Sequence, residues 1–132
     1  MWRYLFVSQP KPSKDTYEFK LMHPFDKRKN EASMILAKYP SHIPIIVEKS
    51  DQSSVPDIDK HKYIIRKEIT LGQFLYILRD RLKLDAVKSL YLYIDNEKVP
   101  SCTELMGDIY TINKDRDSFL YVTYSSESSF NK

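Results

Sequence analysis

Seven consecutive residues, Lys60-His61-Lys62-Tyr63-Ile64-Ile65-Arg66, concentrate the side chains best suited to recognising another molecule. Tyr63, Ile64 and Ile65 favour extended backbone, and the stretch has neither Gly nor Pro, so it reads as a strand. Strand side chains alternate between faces, which sets Lys62 and Ile64 on one side and Tyr63 and Ile65 on the other. Each face then carries an apolar residue beside a polar tip, unlike plain core or plain solvent surface. At the edge of a sheet, such a strand would offer free N–H and C=O groups to a guest strand, whose alternate side chains would seat on both faces. The same residues equally describe an ordinary half-buried strand with lysines guarding it against aggregation.

Elsewhere the chemistry is sparse. His23, His42 and His61 have no metal-ligand spacing, and Cys102 has no neighbouring base, so neither a metal site, a cofactor nor a catalytic nucleophile is expected. A lone cysteine excludes an internal disulfide and suits a reducing compartment. Gly72 and Gly107 are the two glycines of the chain, too few for a phosphate-cradling loop. A net charge of +3 is too mild to imply nucleic acid, and Tyr91 and Tyr93 read as core rather than as a base-stacking platform. Lys27-Arg28-Lys29 reads as a solvated helix face; a basic scaffold that contacts tubulin or anionic surfaces through it and through Arg79–Lys83 is the alternative. No apolar run approaches the ~20 residues of a membrane-spanning helix, and Met1–Val7 is short for a signal peptide, so a cytoplasmic protein is expected.

The elements that must position the central stretch follow from periodicity. Residues 1–16, with Pro10 and Pro12, read as a flexible extension, residues 17–125 as one domain, and the Ser-rich residues 126–132 as a flexible tail. Tyr17–Met22 is a short amphipathic turn. Phe25, Ala32, Ile35, Leu36 and Tyr39 recur at helical spacing, with Pro24 at the start and Pro40 as the stop. Ile43–Lys49 is a strand with Pro44 near its beginning. Thr70 and Gln73 form a capping box before the stripe Leu71, Phe74, Leu75, Leu78 and Leu82, and Ser101 with Glu104 predicts a second box before a helix to about Tyr110. Leu90–Ile94 reads as a central strand, Asp95–Lys98 as a turn and Phe119–Tyr124 as the last strand. Two strands, a crossover helix and two more strands describe an α+β ubiquitin-like β-grasp with two additional N-terminal helices. The right-handed crossover places its first and last strands side by side.

His23-Pro24-Phe25-Asp26-Lys27-Arg28, Tyr39-Pro40, Ile43-Pro44-Ile45-Ile46-Val47-Glu48-Lys49, Asp59-Lys60-His61-Lys62-Tyr63-Ile64, Thr70-Leu71-Gly72-Gln73-Phe74, Met106-Gly107 and Phe119-Leu120-Tyr121-Val122 resemble the autophagy ubiquitin-like modifiers, the family of GABARAP and microtubule-associated protein light chain three. The resemblance covers about residues 17–130. It implies an adaptor without enzymatic activity that binds the Trp/Phe/Tyr-x-x-Leu/Ile/Val motifs of cargo receptors by β-augmentation. Carried over, the aromatic pocket falls on Glu31, Ile35, Pro44, Ile46, Lys62, Ile64 and Phe119, and the aliphatic pocket on Tyr63, Ile65, Ile69, Phe74, Ile77 and Leu78. Acidic residues flanking the motif would meet Lys60, Lys62 and Arg81. Implied partners are motif-bearing cargo receptors, the conjugation enzymes and tubulin, and the implied location is the cytoplasm, with the autophagosome membrane reached by lipidation or recruitment. Relatives are joined to lipid through a Gly near the C-terminus; here Asn131 follows Phe130, so lipidation is not expected. Arg66 stands where the family often has proline. Trp2-Arg3-Tyr4-Leu5 copies the family's own ligand pattern and is a candidate for self-docking in the two pockets.

Overall fold

The computed structural model describes residues 16–126, apart from 52, 86, 96 and 100. Trp2–Leu5, Phe130 and Asn131 therefore lie outside the described residues. Helices α1 (Glu18–Met22) and α2 (Phe25–Lys38) lead into strands β1 (His42–Lys49) and β2 (Lys62–Arg66). Helix α3 (Leu71–Leu82), β3 (Tyr91–Ile94), β4 (Glu97–Lys98), α4 (Met106–Asn113) and β5 (Leu120–Ser125) complete the chain. The sheet runs β2-β1-β5-β3-β4, with β1 and β5 parallel and the other pairs antiparallel. First and last strands are neighbours, as the crossover rule requires.

The register of β2 on β1 decides what its outer edge offers. His42 lies opposite Arg66, Pro44 opposite Ile64 and Ile46 opposite Lys62. The ladder bonds belong to the odd-numbered residues: Val47 N–H donates to the His61 carbonyl at 2.8 Å and Lys67 N–H to the Ser41 carbonyl at 3.0 Å. Residues alternate along an antiparallel pair, so Lys62, Ile64 and Arg66 turn their N–H and C=O groups away from β1. Pro44 fits this pattern without loss, because it sits in a pair that exchanges no bonds with β2 and just before the β1–β5 ladder begins at Ile45.

Two apolar layers flank the sheet. Leu71, Phe74, Leu78 and Leu82 of α3 pack with Ile43, Ile45, Tyr63, Ile65, Leu120 and Val122. The opposite face carries Ile46, Phe119 and Tyr121 against Ala32 and Ile35 of α2, Phe19 of α1 and Tyr17 at its start. Helix α3 starts as its sequence directs: Thr70 Oγ1 accepts from Gln73 N–H, and Gln73 Oε1 accepts from Thr70 N–H at 2.8 Å. The second predicted capping box does not form. Helix α4 begins at Met106, because the Cys102 and Glu104 carbonyls accept from Gly72 and Leu71 N–H and hold residues 102–105 against the start of α3. Gly107 is required there by close approach, since a Cβ would lie 2.9 Å from Lys67 Cβ. Residues 97–98, read as turn, form the short β4, and the Leu90–Ile94 segment lies inside the sheet as β3, between β5 and β4.

The basic run of α2 is not simply solvated. Arg28 is buried and donates from Nε to Asp117 Oδ2 at 3.0 Å, while its Nη1 donates to the carbonyls of His23 and Lys20. The Asp117 carboxylate, fully buried, also accepts from Tyr121 OH at 2.5 Å and Phe119 N–H at 2.9 Å. Burial and this carboxylate both push the Tyr121 phenol up from its ordinary value. Lys20 reaches Asp115 at 2.7 Å, and the two acidic residues together hold the N-terminal helices on the sheet. Asp117→Ala leaves Arg28 buried without its anion, so chemical denaturation should show a loss of about 3–5 kcal/mol. A loss under ~1 kcal/mol would show that the latch contributes little.

Candidate peptide-binding edge

Alternation on β2 separates two environments more sharply than the sequence suggests. Tyr63 and Ile65 are 4% and 8% exposed and belong to the core, whereas Ile64 is 39% exposed and Lys62 lies at the surface. The two faces of this short edge strand therefore lie against different apolar clusters, the α3 core on one side and the α2 cluster on the other.

On the α2 face, Ile46 and Phe119 are fully buried and pack with Ile35 of α2, and Pro44 is buried on the same strand. Ile64, opposite Pro44, is partly exposed on this face, and Lys62 Nζ pairs with Glu31 Oε2 beside it. All seven residues assigned to the aromatic pocket thus belong to one region. Phe19, which sequence reasoning omitted, adds a ring: it meets Phe119 edge-on at 5.2 Å and lies 5.7 Å below the Lys62 ammonium. The amphipathic pattern of residues 17–22 was its available signal. A concavity of about 810 Å³ continues along α2 past Glu31 and Ile35 to Met34, Lys38 and Tyr39.

On the α3 face, Phe74 and Leu78 are fully buried and Ile69 half-buried, while Ile77 is exposed at the outer side. Tyr63 meets Phe74 edge-on at 5.8 Å. Lys60 Nζ lies 5.3 Å from the Tyr63 ring centre, where a cation favours the ring face. Arg81 Nε donates to Asp59 Oδ1 at 2.9 Å, both side chains open to solvent. This hydrogen bond draws the Asp59 carboxyl below its ordinary value. Among the described residues, no cluster of His, Cys, Asp and Glu could hold a metal ion, and no helix is long and apolar enough to cross a membrane.

The Tyr63 hydroxyl is buried without a hydrogen-bond partner. Burial, tempered by Arg81, pushes its pKa up to about 12. Because the unfolded phenol ionises near pH ~10, the stabilisation is complete below that value and is lost as pH rises through about 12. Tyr63→Phe should therefore leave the fold as stable or up to ~1 kcal/mol more stable at pH 7, and flatten the fall in the urea midpoint above pH ~10. A clear loss of stability at pH 7 would contradict the orphaned hydroxyl.

Comparisons with known proteins place the chain among relatives. The family described as Autophagy protein Atg8 ubiquitin like matches residues 27–131. Autophagy-related protein 8e of Arabidopsis thaliana is 49% identical over 112 residues, spanning 85% of this chain and 91% of that protein. Autophagy-related protein 8 of Mycosarcoma maydis is 47% identical over 112 residues, spanning 85% and 94%. The crystal structure of Trypanosoma brucei ATG8 superposes with a TM-score of 0.82 at 34% identity, covering 89% of this chain and all of that one.

Proposed function

Since the chain belongs to the Atg8 family of autophagy-related ubiquitin-like proteins, we propose that it is a non-enzymatic adaptor that takes aromatic-x-x-aliphatic peptides on the β2 edge. The observation that carries this reading is the row of outward N–H and C=O groups on Lys62, Ile64 and Arg66, set between apolar sites on opposite faces. A guest strand running parallel to β2 places residues three apart on opposite faces. An aromatic residue opposite Lys62 then seats over Ile46 and Phe119, and the aliphatic residue opposite Ile65 seats toward Phe74 and Leu78. The Lys62–Glu31 pair crosses the first site with both side chains partly exposed, so parting it costs about 1 kcal/mol or less. Lys60 and Lys62 supply charge for acidic residues upstream of the aromatic one. Cargo receptors and other autophagy proteins with such motifs are the partners that fit. The alternative, a basic scaffold for tubulin, is weakened by the burial of Arg28.

A Trp-x-x-Leu peptide with upstream acids should bind with roughly micromolar Kd, and Ile64→Gln should weaken it about 10–100-fold by setting an amide against the ring. Undiminished binding to the folded variant would remove this edge, and steep loss with salt would favour the basic scaffold. Repeating the titration without residues 1–12 tests Trp2-Arg3-Tyr4-Leu5 as an internal competitor: tighter binding supports it and equal binding dismisses it.

Asn131 stands at the position the resemblance assigns to the conjugated Gly. We infer that this chain is not lipidated and reaches membranes through partners. In a reconstituted conjugation reaction the unmodified chain should yield no lipid adduct, and Asn131→Gly ending at that residue should yield some. An adduct on the unmodified chain would contradict the inference.

A further inference from the structure

The β2 edge does not stop at the two apolar sites. We propose that Arg66 forms a third subsite, which donates its N–H to the carbonyl of the ligand's aliphatic residue and pairs its guanidinium with an acidic side chain at the next position. The proposal rests on the reading of β2 as a peptide-binding edge.

The register specifies it. In a parallel pair, an outward residue donates its N–H to the guest residue before the one opposite and accepts from the residue after it. With the aromatic residue opposite Lys62, the residues on either side of it bond to Lys62. Ile64 then donates to the residue after the aromatic one and accepts from the aliphatic residue. The next outward donor is Arg66 N–H, and the carbonyl it meets belongs to that same aliphatic residue. Lys67 N–H, one residue further, already donates to Ser41, and the Arg66 carbonyl accepts from Ile69 N–H at 3.5 Å. The ladder offered to a guest therefore ends on the Arg66 donor.

Side-chain parity adds specificity. Arg66 shares its face with Lys62 and Ile64, and the guest residue opposite it directly follows the aliphatic one. The guanidinium is exposed, and its Nε stands 3.4 Å from Glu68 Oε1, itself exposed. A pair so open to solvent holds its partner weakly, and a guest carboxylate delivered by the strand can share or replace it. Lys67 adds positive charge beside it. A lysine in the guest at this position would instead face Arg66.

Titration calorimetry on the full chain tests both parts with Trp-x-x-Leu-Glu and Trp-x-x-Leu-Lys peptides, against Arg66→Ala and Arg66→Pro. Proline is tolerated on an edge strand where the missing N–H faces outward, and unchanged urea midpoints verify the fold. The unmodified chain should favour the Glu peptide about three- to ten-fold. Arg66→Ala should abolish that preference, and Arg66→Pro should weaken both peptides by a further factor of about five. Persistence of the preference in Arg66→Ala would overturn the carboxylate subsite, and equal affinities of the Ala and Pro variants would overturn the backbone donor. If neither peptide binds the unmodified chain, the peptide-edge reading falls with it; if both bind but Arg66 substitutions change nothing, this inference falls alone.

Discussion

The Asp117 carboxylate is the contact on which the arrangement of this molecule turns. It is fully buried, and it satisfies three donors from three places: Arg28 on α2, Tyr121 on β5 and the backbone of Phe119. Removing charge from water is costly, so a buried carboxylate persists only when donors surround it. Here they do, and Arg28 in turn caps the carbonyls of Lys20 and His23 where α1 passes into α2. Glu48 repeats the device from β1, accepting the first two N–H groups of α1 at 2.9 and 3.0 Å. The N-terminal helices are thus seated by charge on a sheet face whose apolar contact is modest. That seating also fixes Glu31 and Ile35, which lie one and two turns beyond Arg28 and belong to the proposed aromatic site.

An exposed edge strand invites unwanted pairing, and its features here restrain that tendency while leaving it usable. Lys60, Lys62 and Arg66 repel a second copy of the same edge, and β2 is only five residues long. The strand is nevertheless anchored firmly, since Tyr63 and Ile65 are core residues and every inward backbone group faces β1. Rigidity matters for affinity: a guest that orders itself on a fixed template loses its own freedom but not the template's. Under the proposed function, selectivity would come from the odd spacing between the two apolar sites, which a peptide meets only in extended form.

Much of this was legible in the sequence where one local rule acted alone. Thr70 and Gln73 predicted the start of α3, and the stripe Leu71–Leu82 predicted its buried face. Pro24 and Pro40 bracketed α2, and the alternation of residues 62–65 gave the correct side for each chain. The errors arose where distant contacts overrode local patterns. Ser101 and Glu104 have the form of a capping box, yet their segment is held by Leu71 and Gly72. Arg28, set in a run of surface cations, is claimed by an aspartate 89 residues away. Arg81 pairs at the surface with Asp59, 22 residues away, and Phe19 meets Phe119 because α1 folds back over the sheet. Residue type alone carried none of these pairings.

Peptide recognition by strand addition has a signature that few other binding modes share, and amide hydrogen exchange resolves it residue by residue. Tyr63 and Ile65 N–H groups face β1, so a ligand should change their exchange little. Lys62 and Ile64 N–H groups face outward, and saturation with a Trp-x-x-Leu peptide should slow their exchange by at least about ten-fold, in that alternating pattern. Binding that leaves Lys62 and Ile64 exchanging at their unliganded rates would contradict strand addition on β2, whatever its affinity.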